Sequence, residues 1–235
     1  MSHPVFFDKN QAASYDERSK KLAPLRDTLL QLAIAVLSTL PEDARILCVG
    51  VGTGAELFVL AKRFPSWTFT ALEPAGAMLD ICRSKAEEEG IASRCVFHEG
   101  YLESLPTTEK FHAVTSILVS QFILGPEDRR EFFAGMAERL LPGGYLVNAD
   151  LSADLSTAEY GRVLEAWARI QSGAEVSPEQ LERMRAAYSR EVAILPPAEL
   201  GRLIGSAGFE EVTLFYQALL IHAWFARCPS ETAAH

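Results

Sequence analysis

Leu22, Leu25, Leu29, Leu32, Val36 and Leu40 fall at steps of three and four, which predicts a helix over 22–40, ended by Pro41. The next pattern is a continuous apolar run, "RILCVGV" (45–51), read as a buried strand. Helical spacing returns in "AELFVLAKRF" (55–64), closed by Pro65, and "WTFTALE" (67–73) is a second strand ending at Glu73. "PAGAMLDICRSKAEEEG" (74–90) opens with Pro74 near its first turn and stops at Gly90, as a helix should. Then come a strand at "SRCVFHEG" (93–100), a strand at "FHAVTSILVSQFI" (111–123), a helix at "RREFFAGMAERLL" (129–141) and a strand at "GYLVNADL" (144–151). Strands alternating with helices mean βαβ units and a parallel sheet.

After residue 152 the alternation breaks. "LSTAEYGRVLEAWARIQSG" and "SPEQLERMRAAYSREVA" read as two helices with mixed faces, so 153–195 is expected to be a helical lid inserted after strand five. "PPAELGRLIGSAG" is a further helix, and "FEEVTLFYQALLIHAWFARC" (209–228) is β-rich enough for a closing antiparallel hairpin. The expected architecture is α/β, a Rossmann-like, doubly wound and mostly parallel sheet of about seven strands. Residues 1–235 are read as a single domain, with 1–40 as N-terminal cap helices.

Composition narrows the function. The net charge of −9 argues against nucleic acid, which needs a basic face. Cys48, Cys82, Cys95 and Cys228 include no C-x-x-C pair, so no metal site is expected. The N-terminus has no apolar signal segment and no run approaches a membrane span, so a cytoplasmic location is expected.

Gly50, Gly52 and Gly54 lie where strand one hands over to a helix. Glycine is costly to order and adds nothing to a core, so the backbone must be bare there to turn tightly or to approach a ligand. In an open parallel sheet ligands bind beyond the carboxyl ends of the strands, and the following helix offers free N–H groups. Glu73 ends strand two, which right-handed topology sets beside strand one. A carboxylate beside a glycine loop can accept both hydroxyls of a ribose, so the pair reads as a nucleoside site. Gly50, Gly52 and Ala55 also satisfy the loose dinucleotide pattern, but no second half-sheet and no Tyr-x-x-x-Lys pair accompany it.

The G-x-G-x-G loop, the acidic residue with Pro-x-x-x-Met after strand two, and "LLPGGYLV" together resemble the class I S-adenosylmethionine (SAM) methyltransferases. Within that superfamily "YDER", "SQFILGPEDRREFFAGMAERLLPGG" and "AGFEEVTLFYQ" are similar to the carboxy-SAM synthase group. The chain departs from that group at Cys48, where it has an acid before the glycine loop, and at Tyr101, where it has an aspartate. It departs again at Ile117, an asparagine in the group, and at Leu203, where the group's carboxylate-binding arginine is displaced to Arg202.

The resemblance implies that Gly50, Gly52, Thr53 and Gly54 line the methionine part of SAM and that Glu73 holds the ribose. Pro74 and Met78 then form one wall of an adenine slot, and Tyr101 and Leu102 the other, with Ile117 also in the cofactor site. Arg26 stands where the group touches the cofactor carboxylate, and a guanidinium suits that role; a solvated surface arginine is the alternative. Cys48 cannot replace a carboxylate, which leaves the cofactor's amino group to backbone carbonyls. Tyr15, Asp16 and Arg18 would form a flap or simply cap a helix.

Acceptor-side candidates are Gln121, Tyr160, Trp167, Tyr188 and His222, of which the aromatic residues and His222 also read as packing residues; His98 also reads as merely exposed. Three readings follow: methyl transfer from SAM to a small molecule, leaving S-adenosylhomocysteine; modification of SAM itself, as in carboxy-SAM synthesis; or nucleotide binding without catalysis. A homodimer is expected from the related group, with Val163, Leu164 and Met184 as its apolar contact.

Overall fold

The computed structural model describes residues 20–173 and 175–230. Tyr15, Asp16 and Arg18 lie outside the described residues. The helices are α1 (Ala23–Leu37), α2 (Ala55–Arg63), α3 (Gly76–Glu88), α4 (Pro126–Ala137), α5 (Ala158–Ser172), α6 (Pro178–Glu191) and α7 (Pro197–Ser206). The strands are β1 (Arg45–Val49), β2 (Thr68–Glu73), β3 (Cys95–Glu99), β4 (Phe111–Ile117), β5 (Leu140–Leu151), β6 (Glu210–Ala218) and β7 (Ile221–Arg227). They form one sheet in the order β3-β2-β1-β4-β5-β7-β6, in which β7 runs antiparallel to both its neighbours.

β1 lies inside the sheet between β2 and β4, both parallel to it. Alternate β1 side chains feed opposite layers. Leu47 and Val49 pack with Phe133 and Met136 of α4 and Leu200 and Ile204 of α7. Ile46 and Cys48 pack with Ala33 and Leu37 of α1, Leu57 and Leu60 of α2, and Leu79 and Cys82 of α3. Both faces are therefore covered, which is why β1 reads as an unbroken apolar run. The chain leaves β1 toward β2 and β3, then returns to β4 on the other side. That reversal opens a crevice at the carboxyl ends of β1 and β4.

Several boundaries differ from the sequence expectation. β4 stops at Ile117, well short of 123, because Leu118 has φ +62°, where an extended strand cannot continue. α4 starts at Pro126, since proline is at home in a first turn, and ends at Ala137. Leu140 already pairs with Phe111, and the register shift before Ala113–Tyr145 absorbs Pro142 and the two glycines inside β5. Thr157 starts α5 by accepting a hydrogen bond from Tyr160 N, and Ser177 and Gln180 close a capping box on α6. Among the described residues no helix is long and apolar enough to cross a membrane.

Candidate functional site

The three glycines all take left-handed backbone angles: φ is +66° at Gly50, +57° at Gly52 and +95° at Gly54. A Cβ on Gly50 would come within 2.6 Å of Val119, and one on Gly54 within 2.4 Å of Phe58 and 2.8 Å of Cys82 Sγ. Bare backbone is thus required twice over, by conformation and by space. The loop is tied to β2. Gly50 N and Val51 N both donate to Leu72 O, at 2.8 and 3.1 Å.

Glu73 extends that tie with its side chain. Its Oε2 accepts from Gly52 N at 2.9 Å and its Oε1 from Ala75 N at 3.0 Å. Burial pushes the carboxyl upward in pKa, and these two N–H bonds pull it back. A carboxylate has about four acceptor positions, so two remain for a ligand.

The wall opposite Glu73 follows β3. Ser104 Oγ and N bond Tyr101 O at 2.6 and 2.9 Å, and His98 Nε2 lies 2.7 Å from Ser104 Oγ. His98 therefore fixes this turn rather than standing free. Arg139 donates to the carbonyls of Leu102, Leu105 and Gly135 at 2.7, 2.8 and 2.8 Å, locking the backbone behind the wall. Burial lowers the Arg139 pKa.

One cavity of about 1000 Å³ opens over these elements. Of the residues expected to bind cofactor, Gly50, Gly52, Glu73, Pro74, Met78, Tyr101, Leu102 and Ile117 line it together. The cavity continues past Gln121 to Phe122, Ile123 and Phe132. Thr53, Gly54 and Arg26 do not line it. Thr53 is buried behind the loop, and Gly54 forms the N-cap of α2. Arg26 pairs with Asp27 at 3.3 Å, while its Nε is buried with no hydrogen-bond partner.

The acceptor-side candidates separate. Gln121 lines the cavity, but its side-chain oxygen accepts from Leu151 N at 2.7 Å. Tyr160, Trp167, Tyr188 and His222 do not reach it. Tyr160 and Trp167 are core residues on the buried face of α5, and Trp167 Nε1 donates to Tyr188 OH at 2.7 Å. His222 is buried with Nδ1 3.1 Å from Leu220 O, and burial lowers its pKa. Leu164 is fully buried in the same cluster, with the half-buried Val163 and Met184 packed against it.

Two features escaped the sequence reading. The first is a buried polar network under the turn after β4. Asp150 Oδ2 accepts from Ser120 Oγ at 2.6 Å and Asn148 Nδ2 at 2.7 Å, and its Oδ1 accepts from Gln121 N at 2.9 Å. Arg129 Nη2 lies 3.1 Å from Asp150 Oδ2, an ion pair off the line of a hydrogen bond, with 1% and 0% of the two side chains exposed. Arg129 also bonds Ser120 Oγ and Ala193 O, at 2.9 and 2.7 Å, which joins the cavity floor to the end of α6. The second is Glu56, which is 5% exposed in the first turn of α2. The signal for both was present: Arg129 shares a helical stripe with Phe133 and Met136, and Glu56 one with Leu60.

Comparison with known proteins agrees with this geometry. Residues 46–144 match the family described as "Methyltransferase domain". The chain is 33% identical over 145 residues to erythromycin 3''-O-methyltransferase of Saccharopolyspora erythraea, a match covering 61% of this chain and 44% of that one. It is 26% identical over 145 residues to carboxy-S-adenosyl-L-methionine synthase of Campylobacter lari, covering 61% and 60%. The fold matches human N-acetylserotonin methyltransferase in complex with SAM with a TM-score of 0.65 at 13% identity, covering 95% of this chain and 57% of that one. The chain spans less than two thirds of the length of the curated relatives it matches. A glycine loop held by an acidic residue stands at the switch point of this sheet, within residues 46–144 that match the methyltransferase domain family, and together these findings support a class I SAM-dependent methyltransferase.

Proposed function

We propose that the chain transfers the methyl group of SAM to a small-molecule acceptor. The observation that carries this is the continuity of the cavity from the glycine loop and Glu73 to Phe122, Ile123 and Phe132. Ligand pockets run to about 300–1000 Å³, so this volume leaves room for a second molecule beside a cofactor.

The residues present fit SAM. Glu73 keeps acceptor positions for the ribose hydroxyls, and Met78 and Leu102 give apolar walls for a flat base. SAM, when bound, supplies an activated methyl group on a sulfonium. The chain's part is to align the acceptor behind that methyl group and to exclude water, which can supply much of the rate. No histidine lines the cavity among the described residues. Besides Glu73, the carboxylates that line it and could take a proton are Glu103, Asp128, Glu131, Glu138 and Glu191.

The other charged residues that line the cavity are Arg130 and the committed Arg139. Arg130 is itself paired with Glu127. This excess of carboxylates disfavours an anionic acceptor and suits a neutral or cationic one. The similarity to an O-methyltransferase of a small molecule supports a hydroxyl as the first acceptor group to test. α5 and α6 serve as a lid whose contact with the cavity is the end of α6 at Glu191. The carboxy-SAM reading wants an arginine in α7. Here Arg202 is exposed and Leu203 packs on the core, and neither lines the cavity.

Mass spectrometry of the small molecule released from freshly purified, denatured protein tests the proposal, together with a SAM titration. SAM or S-adenosylhomocysteine, with saturable SAM binding, is the expected result. A carboxylated SAM would move the chain to the SAM-modifying reading. No nucleoside and no SAM binding would overturn both.

A further inference from the structure

Among the described residues that line the cavity, the turn from Ile117 to Ile123 offers one polar side chain, Gln121. It is only 5% exposed, so its amide is largely withdrawn from water. Hydrogen bonds fix it on every side. Its backbone N–H donates to Asp150 Oδ1 at 2.9 Å, and its backbone oxygen accepts from Ala193 N at 2.7 Å. Its side-chain Oε1 accepts from Leu151 N at 2.7 Å. A backbone N–H can only donate, so the amide oxygen must face Leu151, and Nε2 takes the other branch of the amide.

Nε2 carries two N–H donors. It has no partner among the described residues, yet it is not sealed in as the orphaned Ser116 Oγ and Asn148 Oδ1 are. Gln121 borders the cavity, so the cavity is where these donors are offered. The cationic donors nearby are already used: Arg130 is paired with Glu127, and Arg139 bonds the carbonyls of Leu102 and Leu105.

A group that fills this place must accept a hydrogen bond. An ammonium would meet N–H against N–H, and the amide cannot turn to suit it, because turning would set Nε2 against the Leu151 N–H. An anion would meet the carboxylates that line the rest of the cavity. A neutral oxygen avoids both conflicts, and Phe122, Ile123 and Phe132 suit an apolar body around it.

We infer that Gln121 is a specificity-determining residue of the acceptor half: its Nε2 donates to a neutral oxygen, carbonyl or hydroxyl, of an otherwise apolar acceptor and so fixes how that molecule lies toward the methyl group. The inference rests on the methyl-transfer reading above and adds the group that the acceptor must carry. Because Gln121 is anchored through both its backbone and its Oε1, the donor is set before the ligand arrives.

The probes are phenol and acetophenone, with toluene and ethylbenzene as counterparts lacking the oxygen. Each is titrated into isotope-labelled protein saturated with S-adenosylhomocysteine and followed by NMR. The Gln121 side-chain N–H signals, assigned through bonds to their own backbone, are expected to shift with the oxygen probes and not with the hydrocarbons. The oxygen probes should bind roughly 2- to 10-fold more tightly than their counterparts, as one neutral hydrogen bond allows. Gln121→Met, similar in length but without a donor, should erase that difference, its thermal unfolding showing that it is folded; where it does not fold, the wild-type signals decide. Equal binding of matched probes by the wild type overturns the inference. So does a preference that survives in Gln121→Met, oxygen-probe binding that leaves the Gln121 signals in place, or a loaded protein that binds none of the probes; each leaves the SAM reading standing. Failure of the wild type to bind S-adenosylhomocysteine or SAM, measured first, removes both.

Discussion

Glu73 and Gly52 are joined across the site by a 2.9 Å bond from the glycine N–H to the carboxylate, so the residue offered to the ribose also shapes the glycine loop. In the proposed function, binding and preorganisation would share one side chain. Glu73→Gln keeps the size but halves the acceptors, so either Gly52 N or Ala75 N loses its partner. Hydrogen bonds to charged groups contribute about 1.5–3 kcal/mol, which corresponds to a roughly 10- to 100-fold loss of SAM affinity. A calorimetric titration checks this, and an unchanged affinity would remove Glu73 from the cofactor site.

Gly50 faces Val119, whose methyl carbons occupy the space 2.6 and 2.8 Å from where a Cβ would stand. Gly50→Ala should therefore destabilise the protein through the clash and the left-handed φ together, by roughly 2–4 kcal/mol. Adding Val119→Ala should recover the steric part and leave the backbone part. Urea denaturation of the single and double variants measures both. No recovery in the double variant would mean that the backbone angle alone makes glycine necessary.

The stability of the empty protein should fall as pH rises across the range where Glu56 differs between folded and unfolded chains. Below its ordinary 4.5 both states hold the proton and nothing is lost. Between there and about 8 only the unfolded chain gives it up, so each pH unit favours unfolding, and above about 8 the loss levels off. At pH 7 the accumulated cost is roughly 3 kcal/mol. Glu56→Gln removes this slope. Its melting temperature should gain on the wild type steadily from pH 4.5 to 8. Parallel curves for the two proteins would show that Glu56 ionises normally.

How much of this was legible beforehand depended on how locally each feature is encoded. Gly50 and Glu73 were readable because a glycine loop announces its own backbone and handed βαβ topology sets one strand end beside the other. Trp167 and Tyr160 were not assignable, because helical periodicity says that a face is buried but not whether it meets a cavity or a core. Leu118 looks like any strand residue, and its positive φ arises from the turn into the polar network. Glu56 and Arg129 left a trace that counts of apolar positions overlook, a charge on the buried stripe of a helix. Such a charge needs a partner that sequence spacing cannot supply: Asp150 lies 21 residues beyond Arg129, across the sheet-to-helix packing.

That pair sets the last expectation. Arg129 and Asp150 are withdrawn from water, and Asp150 carries the bonds that hold Ser120 and the backbone of Gln121 at the cavity floor. Removing one partner leaves a buried charge uncompensated, which costs roughly 3–5 kcal/mol, whereas replacing both with apolar groups of similar volume can be close to neutral. Asp150→Ala should thus unfold at much lower urea, and the double variant Arg129→Met, Asp150→Leu should recover much of the loss. The two should also part in function. The double variant regains stability but not the hydrogen bonds to Ser120 and Gln121, so the turn after β4 loses its anchor beside Ile117 and Phe122, which line the cavity. SAM binding through Glu73 should change little, while turnover of any acceptor should fall. Full turnover in a stable double variant would confine the network to a folding role.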